Sequence, residues 1–308
     1  MATTSPATGL LHGSARRRRK ERRVRVLFQG AALFSLVVSI AIVTALLGEA
    51  LSWLFEIDLG MLWGSGWFPR QDEFDILTLL FGTLMVAGIA MLVAAPLGLG
   101  AALYLSEYAS PRTRRTLKPI LEVLAGIPSV VLGYFALTVI NPELIQRIFS
   151  QTGAFSFLSA GVAVGILTIP LISSVAEDAM FAVPRALREA AYGIGARRGT
   201  VAVRVVFPAA VSGIMASLIL GLSRAIGETM VVAIAAGATG GALRTLNPLD
   251  GGQTMTGAIS SLAVGSDQVQ GSTLAFPALY FVGLCLFVIT FSLNLASDRF
   301  VRRVRRDY

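Results

Sequence analysis

Long apolar runs, separated by short polar or basic stretches, leave this chain few ways to fold. A run of about 20 apolar residues crosses a bilayer as a helix. Six such runs can be read, at 26–55, 76–105, 119–140, 157–176, 206–236 and 274–296. Charged residues make up 14% of the 308 positions and hydrophobic ones 55%, whereas about a quarter of a soluble domain is charged. No window alternates apolar and polar residues in the ~10-residue units of an outer-membrane barrel. The expected fold is an all-α integral membrane protein of six transmembrane helices. Several runs exceed the minimum, so tilted spans or spans projecting beyond the bilayer are expected.

Basic residues set the orientation, because cytoplasmic loops retain them. Eight lie between Arg16 and Arg25, and four between the second and third runs (Arg112, Arg114, Arg115, Lys118). Five more separate the fourth and fifth runs (Arg185, Arg188, Arg197, Arg198, Arg204), and five close the chain (Arg299, Arg302, Arg303, Arg305, Arg306), so one side holds 22 of the 26. The other side has Arg70, Arg147 and Arg244, while Arg224 falls inside the fifth run. Both termini are therefore expected in the cytoplasm. The organisation is a basic tail at 1–25, a six-span domain at 26–298 with a cytoplasmic loop at about 178–205, and a basic tail at 299–308. The first run is too long for a signal peptide and lacks a small-x-small cleavage site, so it is expected to stay as a span.

The net charge of +8 comes from these flanking segments. It is expected to meet the inner leaflet of the lipid bilayer and no nucleic acid. His12 is the only histidine and Cys285 the only cysteine; one lies in a tail and the other in a span. No metal site, catalytic group or internal disulfide is expected, and Cys285 is read as packing. On the outer side, Trp53, Trp63, Trp67 and Phe68 around 56–75 read as interfacial belt residues. The glycine-rich stretch 237–273 is long for a passive connector.

Arg224 and Glu228 stand near the middle of the fifth run. An arginine at the bilayer centre costs roughly 2.5–3.5 kcal/mol even on the lenient insertion scale, so such residues persist when they pair, line water or meet a ligand. Four positions apart, the two would share one helix face, and a pair would offset much of the desolvation cost. Arg224 is a candidate for an anion path, since guanidinium presents a planar fork of donors to phosphate-like oxygens. Glu228 would hold it in place or accept a proton from the oxyanion. The alternative is an ion pair that only fixes packing. Gly161 with Gly165, and Gly213, Ser217 and Gly221, repeat at four-residue spacing and predict close helix approach. Pro128 and Pro170 predict kinks.

The polar loop between the fourth and fifth runs contains Glu189-Ala190-Ala191, then Gly195, then Val205-Val206-Phe207-Pro208. Its alanines and Leu187 favour a short helix after Pro184, ended by Gly193 and Gly195 and exposing Arg185, Arg188 and Glu189. No stretch fits the phosphate-cradling Gly-x4-Gly-Lys-Ser/Thr pattern, and the chain has no Gly-Lys dipeptide. Any nucleotide would therefore bind a separate chain.

With these motifs the chain resembles the membrane subunits of bacterial phosphate ABC importers, over about 28–303. The carriers are Pro96-Leu97-Gly98-Leu99-Gly100, Leu103 to Tyr108, Glu122 to Val131, the loop above, and Arg224-Ala225-Ile226-Gly227-Glu228-Thr229. Within that family it is more similar to the PstC type than to PstA. The resemblance implies a type I ABC-importer permease fold with alternating access driven by ATP. It implies a PstA-like permease as heterodimer partner, a PstB-like ATPase dimer that binds ATP and magnesium, and a PstS-like extracytoplasmic phosphate-binding protein. It implies no cofactor on this chain and no enzymatic activity of its own. It assigns Arg224 and Glu228 to the substrate pathway, and Glu189, Ala190, Ala191, Gly195 and Pro208 to ATPase coupling. Val205 and Phe207 stand where isoleucine and leucine are usual, which keeps the apolar character. Another oxyanion, sulfate or molybdate, is the nearest alternative cargo. A proton-coupled carrier using Glu228 is disfavoured because it needs no ATPase socket, and a membrane-embedded enzyme because the chain lacks the residues.

Overall fold

The computed structural model describes residues 15–64, 66–237, 241–265 and 272–304, with side chains from 21 to 299. His12, Arg305 and Arg306 lie outside the described residues, as do the side chains of Arg16 to Lys20. Among the described residues five helices are long and apolar enough to cross a membrane, and a bent helix pair makes a sixth if counted as one span.

The first, α1 (Ala15–Glu56), has 42 residues, about 63 Å at 1.5 Å per residue and about twice the hydrocarbon thickness. Met1–Glu49 forms a compact unit separate from Ala50–Tyr308. Leu27, Phe34, Val37 and Ile40 in that first unit are all exposed, the pattern of a helix built for lipid rather than a protein core.

The second unit is built around α2 (Ile76–Leu103), α6 (Phe157–Phe181) and α10 (Val211–Ile226). Each of the first two begins at a side-chain cap: Asp75 accepts from the Leu77 N–H and Ser156 from the Ser159 N–H, both at 3.1 Å. Small residues let the three helices approach closely. A Cβ on Gly161 would stand 2.6 Å from Ile89, one on Gly165 2.9 Å from Val93, and one on Gly221 2.8 Å from Ile172. The expected glycine stripes are therefore packing surfaces between α6 and its two neighbours. α6 runs unbroken through Pro170.

Between these helices the chain is more segmented than the apolar runs imply. A π turn (Tyr104–Tyr108) extends α2, and α3 (Pro111–Ala125) follows, with Ser110 as its cap. α4 (Ser129–Phe135), a π segment (Ala136–Ile145) and α5 (Gln146–Ile148) make the third span. That span was expected at 119–140 and lies at Ser129–Ile148. Gly126 ends α3 and Pro128 caps α4, so Pro128 separates two helices instead of kinking one. Residues 119–125, apolar except for Glu122, belong to α3, none of whose residues is buried.

The cytoplasmic loop forms α7 (Arg185–Gly193) and α8 (Arg198–Val201), then a π turn (Ala202–Val206) and α9 (Phe207–Ala209). The segment Arg198–Ala209 meets α10 at 73°. After α10 come α11 (Met230–Val232), a π turn (Ala233–Gly237), α12 (Met255–Ala263) and α13 (Ala275–Val304).

Contacts between the loops segregate by the side assigned to each. At one end Lys118 meets Glu177, Arg188 meets Glu107 and Arg198 stacks over Tyr108. At the other, Arg244 pairs with Asp75, Ser272 bonds Asp72 and Trp53 donates to the Leu274 carbonyl. This separation is what the six-span, both-termini-inside topology requires. The second end also has a three-stranded antiparallel sheet, β1 (Gly66–Phe68) flanked by β2 (Glu73–Phe74) and β3 (Ala242–Leu243). Trp53 and Trp67 were expected at the lipid interface, yet both are buried in a core with Phe74, Leu79, Met255 and Val282. Phe68 is partly buried, and Trp63 alone of the three tryptophans is well exposed.

Candidate functional site

Two regions hold the residues singled out from the sequence, and α10 runs between them. The first is the cytoplasmic loop. Pro184 precedes the first turn of α7, where its missing N–H costs nothing. Gly195 then takes the left-handed conformation at φ +84°, which glycine adopts without a Cβ penalty. Its N–H donates to the Tyr192 carbonyl at 2.9 Å, and the Ala196 N–H donates to the Ala191 carbonyl at 3.0 Å. This is a Schellman ending, and it brings a residue of the last turn against one past the glycine. Here the pair is Ala191 and Ala196, both in the cluster of Met180, Val183, Val201 and Val206. The four-residue interval from Ala191 to Gly195 is thus the spacing of a helix stop.

The remaining loop residues face outward. Glu189, Ala190 and Pro208 are exposed, and Glu189 makes no ion pair among the described residues. Ile194, at the turn, is 88% exposed, and Tyr192 and Val203 are also open. Two residues past Pro208, which cannot donate to a helix ladder, Ala210 departs from helical geometry and the chain bends into α10. One expectation fails here: Arg188 is turned inward, its side chain 17% exposed. Its Nε and Nη2 reach Glu107 Oε1 at 3.2 and 2.9 Å, Nη2 donates to the Met180 carbonyl at 2.8 Å, and Nη1 donates to the Val183 carbonyl at 2.5 Å.

A second charged cluster lies beside it. Glu177 on α6 is buried and pairs with Arg114 and Lys118 of α3, Lys118 at 2.8 Å from both Glu177 and Asp178. The Asp178 and Glu177 hydrogen bonds hold the Lys118 ammonium above the usual lysine range. The Arg114 guanidinium lies 4.0 Å over the Phe181 ring. Sequence reasoning missed both ion networks. Their only local trace is acidic residues at the ends of apolar runs, Glu107 just past the second and Glu177 just past the fourth.

The second region is the break in the fifth span. Arg224 and Glu228 do meet, Nη2 to Oε2 at 3.4 Å, but not on one helix. α10 ends at Ile226, Gly227 caps it, and α11 starts at Met230. Glycine is a poor helix former, and the freed backbone is held from outside the span: Thr256 Oγ1 on α12 donates to the Glu228 carbonyl at 2.8 Å. α12 itself is capped by Thr254, whose oxygen accepts from the Gly257 N–H at 3.2 Å. Irregular backbone at membrane depth is tolerated where protein surrounds it, and Glu228 is 4% exposed in its side chain against 51% for Arg224. Among the described residues Arg224 therefore spends one long contact on its partner and keeps other guanidinium donors open. Among the described residues no group of His, Cys, Asp and Glu could hold a metal ion.

A bundle of membrane-crossing helices whose loop contacts sort to two ends, with a broken span within, is the architecture of a multi-pass membrane protein. Residues 94–306 match the family described as the binding-protein-dependent transport system inner membrane component. The chain belongs to that family, as a multi-pass permease subunit of an ABC importer. It is 34% identical over 291 residues to the phosphate transport system permease protein PstC of Mesorhizobium japonicum, covering 89% of this chain and 87% of that one. To PstC of Haemophilus influenzae it is 32% identical, covering 90% and 93%. To the probable ABC transporter permease protein YqgH of Bacillus subtilis it is 33% identical, covering 92% and 91%. The fold is shared with a bacterial ABC transporter involved in alginate import, at a TM-score of 0.64, 17% identity and coverage of 94% and 100%. It is also shared with the MetNI methionine ABC transporter, at a TM-score of 0.57, 19% identity and coverage of 81% and 100%.

Proposed function

We propose that this chain lines the translocation pathway of an ATP-driven inorganic phosphate importer, in the PstC position of a PstC–PstA-like heterodimer. A PstB-like ATPase dimer carrying ATP and magnesium docks on the loop around α7, and a PstS-like binding protein delivers phosphate from outside. The observation that carries the cargo reading is Arg224: a guanidinium at membrane depth, half exposed, held by one 3.4 Å contact. Its open donors match the oxygens of a tetrahedral oxyanion, and the PstC proteins similar to this chain are named for phosphate. The docking reading rests on Glu189 and Ile194, which stand exposed on a rigidly terminated helix.

The two sites can act together because α10 is one continuous helix of 16 residues, about 24 Å long. Its first turn follows the bend after Pro208, and its last carries Arg224. A tilt imposed at the loop therefore displaces Arg224 and the break beyond it. Closure around the anion would let Arg224 exchange its long contact with Glu228 for oxyanion contacts. The test is ATP-dependent uptake by the four-component complex in proteoliposomes loaded with labelled phosphate on the binding-protein side. Uptake that excess sulfate or molybdate leaves intact supports phosphate. Uptake of sulfate or molybdate in its place assigns the other oxyanion, and uptake driven by a proton gradient without ATP contradicts the importer reading.

A further inference from the structure

We infer that Arg188 is a positioning residue that couples the docking helix to the membrane helices through Glu107. The inference rests on the docking reading above and concerns how movement leaves the loop. Arg188 lies next to Glu189 in sequence but about 100° round α7, so Glu189 meets solvent while Arg188 is turned to the bundle. Its guanidinium makes four hydrogen bonds to three elements. Two go to Glu107 in the π turn at the end of α2, one to the Met180 carbonyl near the end of α6, and one to the Val183 carbonyl in the link to α7. Carbonyls at a helix C-terminus lack intrahelical donors and favour a cation, so Arg188 completes α6 as well as neutralising Glu107.

Both partners are shielded, at 17% and 5% side-chain exposure. The ends of α2 and α6 therefore share one fork-shaped donor whose geometry is set by α7. A planar guanidinium cannot shift relative to one of these groups without losing bonds to the others, so rotation or translation of α7 is passed to α2 and α6 together. A solvated connector would need no such bond set, and a brace for α7 alone would not need a carboxylate 81 positions away.

The test uses the assembled importer with Cys285 replaced by serine and spin labels at Leu92 of α2 and Leu220 of α10, both exposed. It compares Arg188→Gln, Arg188→Lys and the double variant Arg188→Gln/Glu107→Gln. In the parent complex, a non-hydrolysable ATP analogue is expected to shift the label separation. Arg188→Gln leaves a shielded carboxylate unpaired, so it should both lower the melting temperature of the complex and abolish the shift. The double variant removes that carboxylate and should recover the melting temperature without the shift, while Arg188→Lys keeps the charge without the fork and should recover the shift in part. Phosphate moved per ATP should fall at least tenfold in both glutamine variants. If the double variant recovers the shift along with stability, or if the parent shows none, Arg188 is not the coupling residue. A shift present in the parent, absent in the glutamine variants and accompanied by no phosphate uptake would leave the coupling role standing and remove the phosphate reading.

Discussion

Arg224 and Arg188 are both arginines paired with a shielded glutamate, and the difference between them lies in the bonds left over. Arg188 directs four donors into the protein; among the described residues Arg224 makes one contact, at 3.4 Å, and it is half exposed. A saturated guanidinium is a fixture, and an unsaturated one is available to a ligand. Replacing Arg224 by glutamine removes the fixed charge but keeps a hydrogen-bonding side chain of lesser reach. The expected outcome is loss of ATP-dependent phosphate uptake, at least a hundredfold, in a complex that still assembles but melts lower because Glu228 is left unpaired; uptake within a few fold of parental would reduce Arg224 to packing. Gly195 makes a smaller, backbone prediction. At φ +84° a side chain is strained, by about 1–2 kcal/mol. Gly195→Ala should therefore loosen the end of α7 and weaken ATPase retention during purification, although a Cβ there meets nothing within 4 Å.

Among the elements, the glycine stripes were legible from spacing alone, because small-xxx-small describes one helix face whatever it packs against. Their partners were not, since neither Ile89 nor Ile172 is marked by its neighbours in sequence. The helix stop after Ala191 was legible for the same local reason, through Gly193 and Gly195. The inward turn of Arg188 was not, because it depends on Glu107 and on two carbonyls that only the folded chain brings near. The third span was displaced because hydropathy does not separate the amphipathic end of α3 from the span after Pro128. The break at 227–229 was hidden because the apolar run continues on both sides of Gly227, and it is held by Thr256, 28 positions from Glu228. Packing at the stripes gives a direct contrast. Gly221→Leu puts a side chain where a Cβ already stands 2.8 Å from Ile172, whereas Gly100→Leu enters open space. Overpacking costs typically 1–3 kcal/mol, so thermal melting of the complex should drop by several degrees for Gly221→Leu and stay near parental for Gly100→Leu. Equal melting temperatures would remove close packing between α6 and α10 from the account.

On the scale of the whole molecule, the chain divides into a first unit whose apolar helix surface is exposed and a bundle whose loops sort to opposite ends. Its cytoplasmic end presents an exposed Glu189 and Ile194 on a helix anchored from behind. Its fifth span runs from that end to a break where Arg224 waits beside Glu228. Orientation was legible because arginine placement is a compositional property of loops, and no contact has to be known to count it. That a second chain powers transport is the reading proposed above, and in the sequence it rests on the Glu-Ala-Ala spacing ahead of Gly195. The outer sheet and the buried Trp53 and Trp67 were not, because aromatic residues near a span end satisfy an interface and a core equally well. The central claim is that energy enters through the face of α7 that carries Glu189. It is tested most directly by measuring ATP hydrolysis and phosphate uptake in the same vesicles for the parent complex and for Glu189→Lys, with membrane insertion verified. The variant is expected to insert normally and still hydrolyse ATP, but to lose phosphate-stimulated hydrolysis and uptake. Uptake per ATP equal to that of the parent would contradict the claim.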